Sequence, residues 1–194
     1  MRIITAILVI TAALPPLGVS GQDRENQLAQ RQSLIVSIRI GDVSRLDEEV
    51  RSRQPGEAHP RELHVGDKLS EGDVVLTGTQ SRAEWSLGPD SYFQVGGDSQ
   101  VRLSETTQTE MHFDIERGEV FVIVSSLDKG EVLELDTPHA LLTVARRGRY
   151  RIRVSKNGDT EATVVQGELR FVNRKGEAGR VTTHKQVHFF LPKN

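Results

Sequence analysis

From Leu63 to Phe190 the chain alternates apolar and polar residues in short runs, broken by Gly-acid, Thr-Gly, Gly-Pro-Asp and Asn-Gly pairs. A period of two buries one face of a strand and wets the other. Glycine supplies the positive φ that tight turns need at no steric cost. The pattern predicts strands at Asp73–Thr77, Ala83–Leu87, Tyr92–Val95, Gln100–Leu103, Met111–Ile115, Glu119–Val124, Val132–Leu135, Leu141–Val144, Tyr150–Val154, Glu161–Val165, Glu168–Val172 and Gln186–Phe190. Upstream, Leu34–Ile40 is rich in β-branched residues and reads as a first strand, with Val43 opening a second. Asn157-Gly158 between two alternating runs predicts a β-hairpin with a type I′ turn. No amphipathic helix of useful length is expected after Leu63.

The charged stretch Ser44–Glu62 contains Pro55, Gly56 and Pro60 and lacks a periodic apolar pattern. It reads as a surface loop, with a short helical turn at Leu46–Val50. A weak repeat runs through the rest: Gly66-Asp67, Gly72-Asp73, Gly118-Glu119, Gly130-Glu131 and Gly167-Glu168 each precede a strand. Each pair is expected to turn the chain and present its carboxylate to solvent. The fold class that follows is all-β: a single domain of short strands, either a β-sandwich or a short irregular β-solenoid.

Charge and composition narrow the chemistry. The chain has 194 residues, no cysteine and a formal net charge of −2. Disulfides, thiolate metal sites, cysteine nucleophiles and a lipid-anchored cysteine are thereby excluded, and nothing points to nucleic acid. Residues 1–21 carry Arg2, the apolar run Ile3–Leu14, two prolines and then Gly18, Ser20 and Gly21. This is the layout of a cleavable signal peptide. The apolar run is short of the roughly 20 residues a membrane helix needs. The domain plan is a signal peptide at 1–21, a disordered leader at 22–32 and an all-β domain at 33–194, exported to the periplasm or secreted.

Among candidate functional residues, Arg147, Arg149, Arg151 and Arg153 stand out. On a strand they share one face at intervals of about 6.6–6.8 Å, with Tyr150, Ile152 and Val154 turned to the core. Such a ladder can grip carboxylates, phosphates or an acidic partner surface. The alternative is a solvated face offset by acids on neighbouring strands, such as Glu161 and Glu168. His184 and His188 lie four apart in a strand-like segment, about 13 Å, too far to share a metal ion. His59, His64, His112 and His139 are scattered, so no metal site and no cofactor is expected. Ser81, Ser91 and Ser99 lie in turn-like contexts without a nucleophile elbow. Trp85, Tyr92, Phe93, Phe113, Phe121, Tyr150 and Phe171 occupy strand positions and read as core, except that adjacent Tyr92 and Phe93 must face opposite ways.

The order and spacing of several blocks resemble the FecR-type extracytoplasmic domain. They are Leu63-His64-Val65-Gly66-Asp67-Lys68-Leu69, Gly72–Gly78, Ser81-Arg82-Ala83-Glu84, Glu116–Val120, Thr137-Pro138, Gly148–Val154 and Val164–Leu169. Together they span about 33–172. The resemblance implies an all-β envelope or secreted binding module, and since no catalytic set stands out among the residues, a non-enzymatic binding or regulatory role is expected. Regulators of this family join a cytoplasmic tail, one membrane helix and an extracytoplasmic domain, and this sequence resembles the last of these. The partner expected is an envelope or secreted protein, or an anionic envelope polymer. A structural envelope component assembling through strand edges, or a glycan-active or glycan-binding protein, are the alternatives.

The leader is directly testable. Amino-terminal sequencing of the protein recovered from the producing cell's envelope or medium is expected to begin at Gln22; an intact Met1 overturns the export reading.

Overall fold

Among the described residues, strands account for all the regular structure, because the sequence there offers period-two patterning and turn residues and little else. The computed structural model describes residues 42–107 and 109–190, and no helix occurs among them. The strands are β1 (Val43–Asp47), β2 (Val50–Arg53), β3 (Arg61–Glu62), β4 (Val74–Thr77), β5 (Arg82–Gly88), β6 (Ser91–Val95), β7 (Gln100–Thr106), β8 (Glu110–Val124), β9 (Val132–Asp136), β10 (Ala140–Val144), β11 (Gly148–Val154), β12 (Thr160–Gln166), β13 (Glu168–Asn173), β14 (Ala178–Thr182) and β15 (Lys185–Phe189). They form one open mixed sheet in which β8 and β9 pair in parallel and the other described pairings are antiparallel.

β8 divides that sheet. Its N-terminal part pairs with β7 and β9, and its C-terminal part with β6 and β11. Two half-sheets result: β3-β2-β4-β7-β8-β9-β10-β13-β14, and β1-β5-β6-β8-β11-β12-β15. Their inner faces meet in one core, as in a sandwich whose layers share a strand. The ring of Phe93 on β6 stacks on that of Phe113 on β8 at 4.2 Å, and Trp85 stacks on Phe93 at 4.9 Å. At the far end, Phe171 of β13 meets Phe189 of β15 edge to face at 5.0 Å. Offset and edge contacts of this kind add to the area term of burial.

The chain changes layers at a corner in β8. Phe113 and Ile115 are buried before it; Val120, Val122 and Val124 are buried after it. The inward parity thus shifts from odd to even numbers, which requires one extra residue, and the β7–β8 register slips between Arg117 and Ile115. Gly118 takes φ +102° there, and a Cβ on it would overlap the Ser99 hydroxyl. Ser99 is buried; its hydroxyl donates to Gly97 O at 3.1 Å and accepts the Glu119 N–H at 3.1 Å. The Thr77 hydroxyl in turn accepts the Ser99 N–H at 2.9 Å and donates to Gly96 O at 2.7 Å.

Most Gly-acid pairs are one recurring device. In Gln54–Glu57, His64–Asp67, Ser70–Asp73 and Asp128–Glu131 the fourth residue's N–H donates to the first residue's carbonyl, while its carboxylate accepts the first residue's N–H. The glycine at the third position has positive φ in each, as a type II turn requires. These carboxylates are turn locks, which corrects the expectation that they face solvent. Asp73 is buried. Asp67 also takes Arg61 Nη1 at 3.0 Å, and the His64 N–H and Arg61 together hold its carboxyl below the ordinary aspartate value.

Other expectations are refined. The supposed loop Ser44–Glu62 holds β1, β2 and β3, and Leu46–Val50 makes no helical turn. The two strands expected at 111–115 and 119–124 are one, and β14 was not anticipated. Lys156–Asp159 does turn the β11–β12 hairpin, but positive φ falls on Gly158 and not on Asn157, so the turn is not type I′. The strand read at 34–40, the signal peptide and the leader lie outside the described residues.

Two glycine substitutions separate backbone strain from packing. Gly130 has φ +92° and open space around its Cα, so G130A is expected to cost about 1 kcal/mol. G118A adds a clash inside the corner and is expected to cost at least about 3 kcal/mol. Urea denaturation of both variants checks this, and equal losses would refute the corner's tight packing.

Candidate functional site

The arginine ladder lies on the outer face of the half-sheet that contains β11. That strand is held between β8 and β12, and its buried positions are Gly148, Tyr150, Ile152 and Val154. Arg149, Arg151 and Arg153 therefore point outward. Arg147 precedes the strand in a bend and is exposed. The structure thus brings three of the four predicted residues into one row and leaves the fourth at its end.

The ladder's charges are only partly offset, and not by the acids expected. Glu119, directly across from Arg153 on β8, accepts from Arg151 Nε and from Arg153 Nη2, the latter at 3.0 Å. Glu161 faces Arg153 from β12, but its carboxylate lies 3.7 Å from His188 Nδ1. Glu168 is 3.9 Å from Arg146 Nε. Among the described residues, neither Arg147 nor Arg149 has a side-chain ion pair or hydrogen bond. Guanidinium groups left in this state keep all their donors for a partner.

Apolar side chains surround the unpaired end. Arg149 sits opposite Ile123 of β8, which sits opposite Tyr92 of β6. One rung along, the Arg151 guanidinium lies over the Phe121 ring, 5.8 Å from its centroid. Phe121 is 37 % exposed, and Val165, at the β12 bulge facing Arg149, is 47 % exposed. Phe121 was expected in the core; the parity shift at the corner turns it outward instead. Tyr92 is half-buried on this face while Phe93 is fully buried, as adjacency requires. Beside the ladder, Arg45, Arg82, Glu84, Gln94, Glu119 and Phe121 line a shallow recess of about 320 Å³.

Under the ladder, Tyr150 is almost wholly buried. Its hydroxyl donates to Arg146 O and accepts the Glu168 N–H at 3.3 Å. Gly167 leaves the room; a Cβ there would collide with the phenol oxygen. Burial, the largest influence, pushes the Tyr150 hydroxyl above the usual tyrosine pKa.

The serines weighed from the sequence are structural. Ser81 donates to Glu49 O at 2.8 Å, and Ser91 accepts the Ser125 N–H at 3.0 Å. His184 occupies the β14–β15 turn with φ +59°. One grouping escaped sequence reasoning: Glu105, Glu110 and His112 come within 4.8 Å of one another. Only the β7–β8 register assembles it, and no single-strand pattern carries that register.

The family model described as FecR protein matches residues 73–185. Two crystal structures of a candidate anti-sigma factor from Parabacteroides distasonis, at 2.50 and 1.65 Å, are similar in fold. They share 18 % and 17 % identity, each with a TM-score of 0.51, over 59 % of this chain and 53 % of that one. The match therefore spans about half of that protein's length. No curated protein matches.

Tyr150 gives a pH test. Its folded-state pKa is raised, so the stability it contributes is fully present below the unfolded value of about 10 and is lost as pH rises through the folded value. At pH 7, Y150F is expected to cost about 1–3 kcal/mol, because Arg146 O and the Glu168 N–H lose their partner. At pH 11 the gap between variant and wild type should narrow. Urea midpoints at the two pH values measure it, and a constant gap argues against the buried phenol.

Proposed function

The chain belongs to the FecR protein family, and from that premise we propose that it is a non-enzymatic regulatory module that binds a protein partner outside the cytoplasm. The observation that carries this reading is the composition of the outer face around Arg149. An uncommitted guanidinium sits among Tyr92, Phe121, Ile123 and Val165, with Arg147 at its margin. Tyr, Phe and Arg are the residues that dominate protein interfaces, because they offer large apolar area and directed donors at low entropic cost. The unpaired arginines favour a partner with carboxylates at matching positions. The ion pairs to Glu119 hold Arg151 and Arg153 in place, so that side of the surface is ordered in advance.

A protein partner fits better than a catalytic substrate. The recess beside the ladder is shallow and mixed in charge, and the acids weighed from the sequence lock turns, pair with arginines or, in Glu161, face His188. Export, proposed from the leader, places the module in the envelope or beyond it, where the family resemblance also points.

The test uses the chain from Gln22 onward, immobilised, with envelope extract as the source of partner. The captured protein is identified, purified and titrated against wild type and variants. R149E is expected to weaken binding at least about tenfold and to leave the melting temperature unchanged, because Arg149 makes no internal ion pair. F121S should weaken it similarly, while R170E on the other half-sheet should not. Added salt should slow association. Undiminished binding by R149E, or capture of an anionic polymer in place of a protein, overturns the reading.

A further inference from the structure

The other half-sheet carries a different chemistry on its outer face. His112 on β8 lies opposite Glu105 of β7 and, on its other side, opposite Glu134 of β9. Glu110 precedes His112 by two on the same strand, so alternation puts it on the same side. One ligand atom from each of Glu105, Glu110 and His112 falls within 4.8 Å of the other two. The imidazole is oriented between carboxylates, with Nδ1 3.7 Å from Glu105 and Nε2 3.5 Å from Glu134. Glu134 is itself fixed, since the Thr143 hydroxyl donates to it at 3.1 Å.

Two features set this grouping apart from a solvated acidic patch. Among the described residues, none of Glu105, Glu110 and Glu134 has an Arg or Lys partner. Carboxylates drawn together without a cation repel one another, and a bound cation removes that penalty. Moreover, the histidine is arranged as metal-binding histidines are: one ring nitrogen faces Glu105 and the other faces a separate carboxylate, Glu134, that Thr143 holds in place.

We propose that Glu105, Glu110 and His112 bind a divalent transition-metal cation, with Glu134 positioning His112. One imidazole and two carboxylates suit Zn²⁺ or Mn²⁺ better than Ca²⁺, which takes oxygen ligands. Ligand bonds near 2.0–2.2 Å require the exposed Glu110 and the half-buried Glu105 to move inward by about an ångström, which their flexible side chains permit. Three protein ligands leave a coordination position open at the surface.

The test is calorimetric titration of the untagged, chelator-treated chain with ZnCl₂ and MnCl₂. One saturable equivalent of either ion is expected. E110Q is the decisive variant, because the Glu110 carboxylate has no internal hydrogen bond or ion pair among the described residues and its neutralisation, which relieves repulsion within the cluster, should not lower the metal-free melting temperature. E110Q and H112Q should each weaken binding at least about tenfold, and E134Q by about tenfold with unchanged stoichiometry. H188Q should bind as wild type. Absence of saturable binding by both ions, or wild-type affinity in E110Q, overturns the proposal.

Discussion

The fold depends on one strand serving two layers, and that depends on the corner at Gly118. A straight β8 of 15 residues would present one parity of side chains to one layer throughout. Inserting a residue at the corner reverses the parity, so Phe113 and Ile115 fill the core from one half-sheet and Val120, Val122 and Val124 from the other. A non-glycine residue there would have to adopt positive φ and displace the Ser99 hydroxyl. The serine, held by Thr77 and Gly97, caps the Glu119 N–H that the bend takes out of the ladder. Leaving that donor buried and unpaired would be costly.

The same parity shift builds the arginine surface. Because even positions face inward after the corner, Glu119, Phe121 and Ile123 face out, opposite Arg153, Arg151 and Arg149. The backbone of Glu119 is fixed on both sides: Gly96 N–H donates to its carbonyl at 2.8 Å and Ser99 caps its N–H. Its carboxylate is thus delivered to two arginines from a rigid point, which reduces the side-chain entropy cost that weakens most surface ion pairs. Arg149, one rung beyond its reach, is left for other contacts. The distinction between paired and unpaired rungs is therefore a consequence of where the strand bends.

Alternation and turn chemistry made most of the central strands legible, since each of β4 to β7 and β9 to β13 carries enough inward apolar residues to betray its period. Where that signal thins, the reading fails. β2 (Val50–Arg53) buries only Val50 and Ser52, and β14 (Ala178–Thr182) only Val181; both are strands because their neighbours supply the hydrogen bonds, not because their own pattern demands it. The ladder was visible, since alternation within one strand suffices to see it. Its counter-ion was not: Glu161 belongs to the adjacent hairpin strand, whereas Glu119 arrives from a strand far back in the chain. The same limit hid His112, whose neighbours Glu105 and Glu134 sit on two other strands.

The two candidate sites occupy opposite ends of β8 and opposite outer faces of the sandwich, and this makes them physically separable. His112 lies before the corner and Phe121 after it, with the core between the half-sheets that carry them. Charge at one is screened from the other by distance and salt. Coupling between them would have to pass through the shared core or the corner, both of them close-packed. A ligand at the carboxylate–histidine cluster would then stabilise β7, β8 and β9 locally without re-aiming Arg149.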